Sequence, residues 1–210
     1  MVNFSIELDA GFESHFKKEI EKEVSLRLKS SINNITESIE IALQTLVKLR
    51  LYEAPEVDSL ASGELRYQFG LVDGASRISN IIDMWAESVE VRYVSGFGKL
   101  GGISISMGDN DYSKALSMSD AEFTTENGTP LEWLRWLLLE GDTRIVNNYQ
   151  FRSGRRGRAG GGIMASRQNS SWGVPSQFAG TDNNNFATRA LESMQDEIDV
   201  IVRREITKVV

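Results

Sequence analysis

The chain has no cysteine, so disulfides and thiolate-bound metals are excluded and no covalent staple supports the fold. Its single histidine is His15, set in a helical pattern among Glu13, Lys17 and Lys18. A Ser–His–Asp arrangement needs an imidazole oriented by a buried acid beside a nucleophile, whereas residues at such a position are ordinarily solvated. No apolar run approaches the roughly 20 residues that a membrane helix needs. Residues Met1 to Asp9 are acidic and mixed, unlike a secretory signal. General basicity is missing too: a net charge of −7 opposes a surface built throughout for nucleic acid. The expectation is a protein that acts, or is assembled, inside a cell.

What is present suits one soluble domain spanning residues 1–210, with 40% hydrophobic and 25% charged residues. Phe12, Phe16, Ile20, Val24, Leu28, Ile32, Ile35, Ile39, Leu43 and Leu46 recur in steps of four and three, one stripe of an α-helix over about 12–52. Forty helical residues would span roughly 60 Å, beyond a compact domain of this size. The helix therefore either breaks near Ser30–Asn34 or projects and packs on other subunits, and Pro55 closes the segment. Within a sheet-containing core over 60–210, Ser59–Leu71 reads as a turn entering a short extended or irregular segment. Asp73 is placed to cap a helix bearing Ile78, Ile81, Ile82 and Trp85. Val89–Val94 and Ile103–Met107 alternate as a β-hairpin, with Gly96, Gly98, Gly101 and Gly102 supplying the turn. Gly108–Asn127 reads as a loop with at most a short helix. Thr129–Glu132 has the form of a capping box opening the helix Leu131–Leu139, which Gly141 closes. Thr143–Phe151 and Gly162–Ala165 read as strands either side of a glycine-arginine loop at 153–162. Asp182 or Asn183 is placed to cap a final helix through Lys208, with Phe186, Ala190, Leu191, Met194, Ile198, Ile201 and Val202 on one face.

Candidates for chemistry are few. Glu64 beside Arg66, and Asp109 with Asp111, carry the residue types of an acid/base pair or an oxygen-ligand cation site. Gly108–Tyr112 is too short for a calcium loop and suits a solvated turn. The glycine-arginine loop lacks the Gly-Lys-Ser/Thr ending of a phosphate loop and opens no helix. Arg152, Arg155, Arg156, Arg158 and Arg167 are instead candidates to meet acidic patches on a partner subunit or phosphates of DNA. Trp133, Trp136, Trp172, Phe178 and Phe186 are candidate packing or interface residues. The short tryptophan helix is apolar nearly all round and has to be covered, for which a partner subunit is one natural solution.

Four passages together carry a family likeness: Ser62–Arg66 after the long first helix, the central hairpin, Arg152–Arg158, and Trp172–Thr181 running on into Asn185–Ala190. On these the chain resembles the tail-completion or neck (head–tail joining) proteins of tailed bacteriophages. Gly63, Leu65 and Arg66 match the family's turn before the sheet. Gly180, Thr181 and Phe186 match its Gly-Thr signature and the phenylalanine leading into the closing helix. The stretch from Asp109 to Asn148 has no clear counterpart there. The resemblance implies an α+β fold with a long N-terminal helix, a small antiparallel sheet with extended hairpins and a C-terminal amphipathic helix. It further implies a structural virion protein, a homo-oligomeric hexameric ring subunit (tail terminator or head–tail connector) assembled in the host cytoplasm. Its neighbours would be head, neck or tail proteins and DNA in the channel, with no membrane, cofactor, bound metal or catalytic activity. A baseplate or other minor tail component is the alternative among structural roles. A metal-dependent hydrolase or nuclease, and a nucleic-acid-binding module acting through the arginine loop, are the alternatives from other classes.

Overall fold

The computed structural model describes residues 10–95, 101–108, 111–125, 128–154 and 157–209, with side chains from Ser14 onward. It is an α+β structure in which one long helix, α1 (Ala10–Tyr52), runs without a break. Of the two alternatives for this segment, the break near Ser30–Asn34 is absent. The apolar stripe supplies the reason for what happens instead. Ile35, Ile39, Leu43, Val47 and Leu51 are fully buried, while no side chain from Ser14 to Asn34 is. The second half of α1 is a core element, and the first half touches the core through Leu28 and otherwise stands largely outside it.

After Tyr52 come α2 (Pro55–Ala61), α3 (Glu64–Phe69) and α4 (Gly74–Glu87). Residues 59–71 are therefore two short helices, not an extended or irregular segment. Ser59, Ser62 and Gly63, residues typical of a turn, occupy helix ends here: the Ser59 hydroxyl accepts from Leu65 N at 3.0 Å. Leu60, Leu65, Phe69 and Leu71 are buried at near-helical spacing. Asp73 precedes α4 but makes no side-chain cap; its carboxylate accepts from Arg77 Nε at 2.8 Å.

Strands β1 (Val89–Val94) and β2 (Gly102–Met107) form the expected antiparallel hairpin, with Val91 opposite Ile105. Gly101 has φ +82° at its return; Gly96 and Gly98 lie outside the described residues. The long segment that follows holds α5 (Ser113–Leu116) and a two-residue strand pair, β3 (Phe123–Thr124) with β4 (Pro130–Leu131). That pairing replaces the capping box expected at Thr129–Glu132, because Pro130 and Leu131 are held in extended backbone. Helix α6 (Trp133–Leu138) starts after Glu132, which makes no side-chain cap. Trp133, Leu134, Leu137 and Leu138 are fully buried, so the chain covers this helix itself. Trp133 Nε1 donates to the Asp120 carbonyl at 2.9 Å.

Strands β5 (Val146–Ser153) and β6 (Gly162–Trp172) make the second long hairpin. β6 runs further than the expected Gly162–Ala165. The closing segment is two helices, α7 (Phe186–Leu191) and α8 (Gln195–Thr207), and the cap is Asn185 in place of Asp182 or Asn183. Asn185 is fully buried because its amide satisfies both sides. Its Oδ1 accepts from Ala187 N and Thr188 N at 3.1 and 3.0 Å, and its Nδ2 donates to the Leu138 and Thr181 carbonyls at 3.2 and 3.0 Å. A capping box with Thr188 completes it. Next to this knot Trp85 meets the rings of Phe186 and Tyr112 at 6.0 and 6.1 Å. All described sheets are two-stranded and antiparallel, so helices supply most of the core.

The Gly180–Thr181 pair is explained by close backbone approach. Gly141 N donates to the Gly180 carbonyl at 2.9 Å, and a Cβ on Gly180 would lie 1.9 Å from the Leu137 carbonyl oxygen. Two backbone segments thus meet where only glycine fits. Gly180→Ala is expected to destabilise the protein by about 1–3 kcal/mol through overpacking, read as a lowered denaturation midpoint; an unchanged midpoint would remove this account.

On α8, hydrogen bonds from Lys208 Nζ at 2.6 Å and then Arg204 Nε at 2.8 Å hold the Glu205 carboxyl below its ordinary value of 4.5. A folded-state pKa below the unfolded one stabilises the fold above the unfolded value. That contribution is lost as pH falls through the lower, folded value. Glu205→Gln is therefore expected to melt earlier than the native chain at neutral pH and to converge with it in strong acid. A constant gap at every pH would rule out the charge as the cause.

Candidate interaction surface

The arginines singled out in the sequence belong to β5, β6 and the segment joining them. Residues 143–181 carry six arginines and no other charged residue. With a total of −7 for the chain, everything outside that segment carries −13. The hairpin is thus a cationic element on an acidic body.

Register decides which cations stand together. Arg152 is opposite Ile163 and Gln150 is opposite Ala165, and side chains alternate between faces. Arg152, Gln150, Ile163 and Ala165 therefore share one face, which Arg167 joins by donating to Gln150 Oε1. Between Asn147 and Tyr149 the register shifts, leaving Asn148 opposite a bulge on β6. Asn148 and Asn169 both take φ 60° there, and Asn148 Oδ1 accepts from Asn169 N at 3.2 Å. Arg167 follows Ile163 and Ala165 at the two-residue period of the strand, and it is exposed, as Arg152 is.

Arg158 behaves differently. Its guanidinium lies 4.0 Å from the centroid of the Phe123 ring, and its Nε donates to the Gly70 carbonyl at 3.1 Å. Gly161, at φ +67°, sits so close to Tyr67 that a Cβ would be 2.2 Å from its ring. At the other end of β6, Trp172 Nε1 donates to Gln68 Oε1 at 2.7 Å and its indole stands edge-on to Phe69 at 5.7 Å. The hairpin is fastened to α3 at both ends of β6. Phe69 also faces the half-buried Trp136 at 6.0 Å, and together these residues border a cleft of about 320 Å³ lined by Tyr67, Phe69, Trp136, Arg158, Met164 and Trp172. Phe178 is half-buried against the core and Phe186 is fully buried within it. Arg155 and Arg156 lie outside the described residues.

The remaining candidates have local duties. Arg66 donates to the Leu71 and Val72 carbonyls at 3.2 and 3.0 Å, clamping the turn after α3. Glu64 accepts from Gln68 and Gln177. Asp111 accepts from Ser113 N at 3.1 Å, and its bonds with Ser113 hold it below the usual carboxylate range; Asp109 lies outside the described residues. His15 is exposed on α1. Among the described residues, no group of three or more His, Asp or Glu side chains is placed to hold a cation, and no helix is long and apolar enough to cross a membrane. The anchors Phe123, Gly70 and Gln68 were not singled out from sequence, since each meets a partner far away in the chain.

No family model, curated protein or solved structure matches this chain.

Arg158→Ala is expected to speed amide exchange over 157–162 at least about tenfold while the core strands keep their protection, because only the local clamp is removed. Unchanged exchange there would show the stacking contact to be idle.

Proposed function

We propose that this chain is a structural subunit of the neck or tail-completion region of a tailed bacteriophage. It assembles with copies of itself into a ring, and the arginine face of β5–β6 turns toward the DNA passing through. The observation that carries the reading is the hairpin itself: five arginines without one carboxylate, on a body of opposite charge, with both ends of β6 fastened to α3. A channel that DNA must traverse has to attract phosphate without reading bases. Exposed guanidinium groups on a fixed strand pair meet that need, because phosphate contacts are sequence-independent.

The acidic body supports the same reading from the other side, since its net charge of −13 outside residues 143–181 disfavours DNA contact over most of the remaining surface. The first half of α1, lying largely outside the core, and the exposed apolar side chains along the helix are surfaces for copies of the chain and adjoining head or tail proteins. The role is geometric, within a virion assembled in the host cytoplasm.

Electron microscopy of the purified chain should show closed rings. Duplex DNA should bind the assembled form without sequence preference and more weakly as salt rises. Arg152→Gln with Arg167→Gln should reduce the slope of log K against log salt by about two. An unaltered slope would remove the hairpin from the DNA contact, and a permanently monomeric chain would remove the ring.

A further inference from the structure

We infer that the N-terminal half of α1 docks as an arm on the exposed flank of the C-terminal half of α1 in a neighbouring copy, joining subunits head to tail. The inference rests on the self-assembly reading above and adds the contact that performs it. On the arm, Phe16, Ile20 and Val24 are four residues apart and so form one ridge; Phe16 and Ile20 are 58% and 47% exposed. On the flank, Ile41, Thr45 and Leu49 form a second ridge of the same spacing, with Ile41 57% and Leu49 55% exposed, and Tyr52 beside it 46% exposed. Two ridges of four-residue spacing fit each other's grooves in the commonest form of helix packing. A run of large apolar side chains on one helix, spread along its length on two separate patches, is more than scattered surface exposure requires.

Charge selects a second copy of this chain as the occupant. Residues 14–34 carry five basic and three acidic side chains, a surplus of +2 on a chain of net −7, and Lys17 lies next to the apolar ridge. The flank is acidic. Lys48 pairs with Asp83 at 2.8 Å and also interacts with the charge of Glu87, so this one lysine faces an excess of carboxylates once the exposed Glu37 is included. The two ridges cannot meet within one molecule, because both belong to a single unbroken helix. The contact is therefore heterologous, the class that generates rings when the rotation closes. The β5–β6 hairpin is cationic too, but it presents no helical ridge.

The test uses the full-length chain in sedimentation velocity over a dilution series. An arm variant carries Ile20→Gln and Val24→Gln; a flank variant carries Ile41→Gln and Leu49→Gln. Each is expected to self-associate about tenfold or more weakly than the native chain, with a circular-dichroism melt close to native because none of the four side chains is buried. Mixing the two variants leaves one intact arm and one intact flank per pair, so a one-to-one heterodimer and nothing larger is expected. Leu26→Gln, about 200° around the helix from Val24, should associate as the native chain does, and added salt should weaken the native association. Rings that persist in both variants would overturn the arm contact and leave the ring reading standing; a monomeric native chain would overturn both. A mixture that stays monomeric would also overturn the arm contact.

Discussion

The apolar row Ile35–Ile39–Leu43–Val47–Leu51 on α1 is the surface along which α2, α4, α7, α8 and β1 are assembled. Residues four apart advance about 40° around an α-helix per step, so the row winds as it runs. It presents different directions at successive heights, and α1 contacts β1, α4, α8, α7 and α2 along it. Polar contacts follow the same path. Glu40 accepts from Val91 N at 3.1 Å, Lys48 meets Asp83, and Arg50 meets Glu197. An unbroken helix with a winding apolar row lets short elements pack along it without a large sheet. That explains why every described sheet is a two-stranded hairpin.

Arginine has two separate uses in this chain. Inside the fold it ties distant segments through backbone carbonyls or a buried acid. Arg77 donates to the Ser119 and Glu122 carbonyls, Arg66 closes the turn after α3, and Arg189 matches the buried carboxylate of Glu56. Removing the partner of such a buried acid leaves an uncompensated charge, which is far costlier than the pair is worth in water. On the outer face of β5–β6, Arg152 and Arg167 are exposed and turned to solvent. Arg158 bridges the two uses, because its stack on Phe123 and bond to Gly70 keep the exposed arginines in a fixed place.

The proposed assembly follows from the same economy of elements. The row that organises the core ends at Ile35, but the helix continues toward its N-terminus for more than twenty residues at about 1.5 Å each. Leu28 on that segment packs against the core, while Phe16, Ile20 and Leu26 stand about half exposed. These exposed side chains gain a hydrophobic stabilisation only by covering, or being covered by, another surface. In the proposed assembly the arm and the arginine hairpin make different kinds of contact, one apolar and one electrostatic. The proposed assembly thereby gives joining subunits and facing a polyanion to separate parts of the chain.

The long helix, the β1–β2 hairpin, α4 and the strands around the arginine loop were legible in the residues, because periods of 3.6 and 2 survive in Ile35–Leu51 and in Val89–Val94. The helix ends were not. Ser59, Ser62 and Gly63 resemble a turn whether they connect strands or terminate helices. Thr129–Glu132 forms a capping box in isolation, yet yields to pairing with Phe123–Thr124. Asp182, Asn183 and Asn185 are chemically near-equivalent caps, and only the carbonyls of Leu138 and Thr181 single out Asn185. The candidate surface divides in the same way. The sequence by itself determined that arginines cluster without carboxylates and that α1 carries an apolar stripe, since composition and period are local properties. Tertiary structure alone decided that Trp133 and Phe186 are core, that Arg158 is an anchor, and that Arg152 and Arg167 share an exposed face. Those outcomes depend on partners from distant parts of the chain, and no local pattern encodes which distant group arrives.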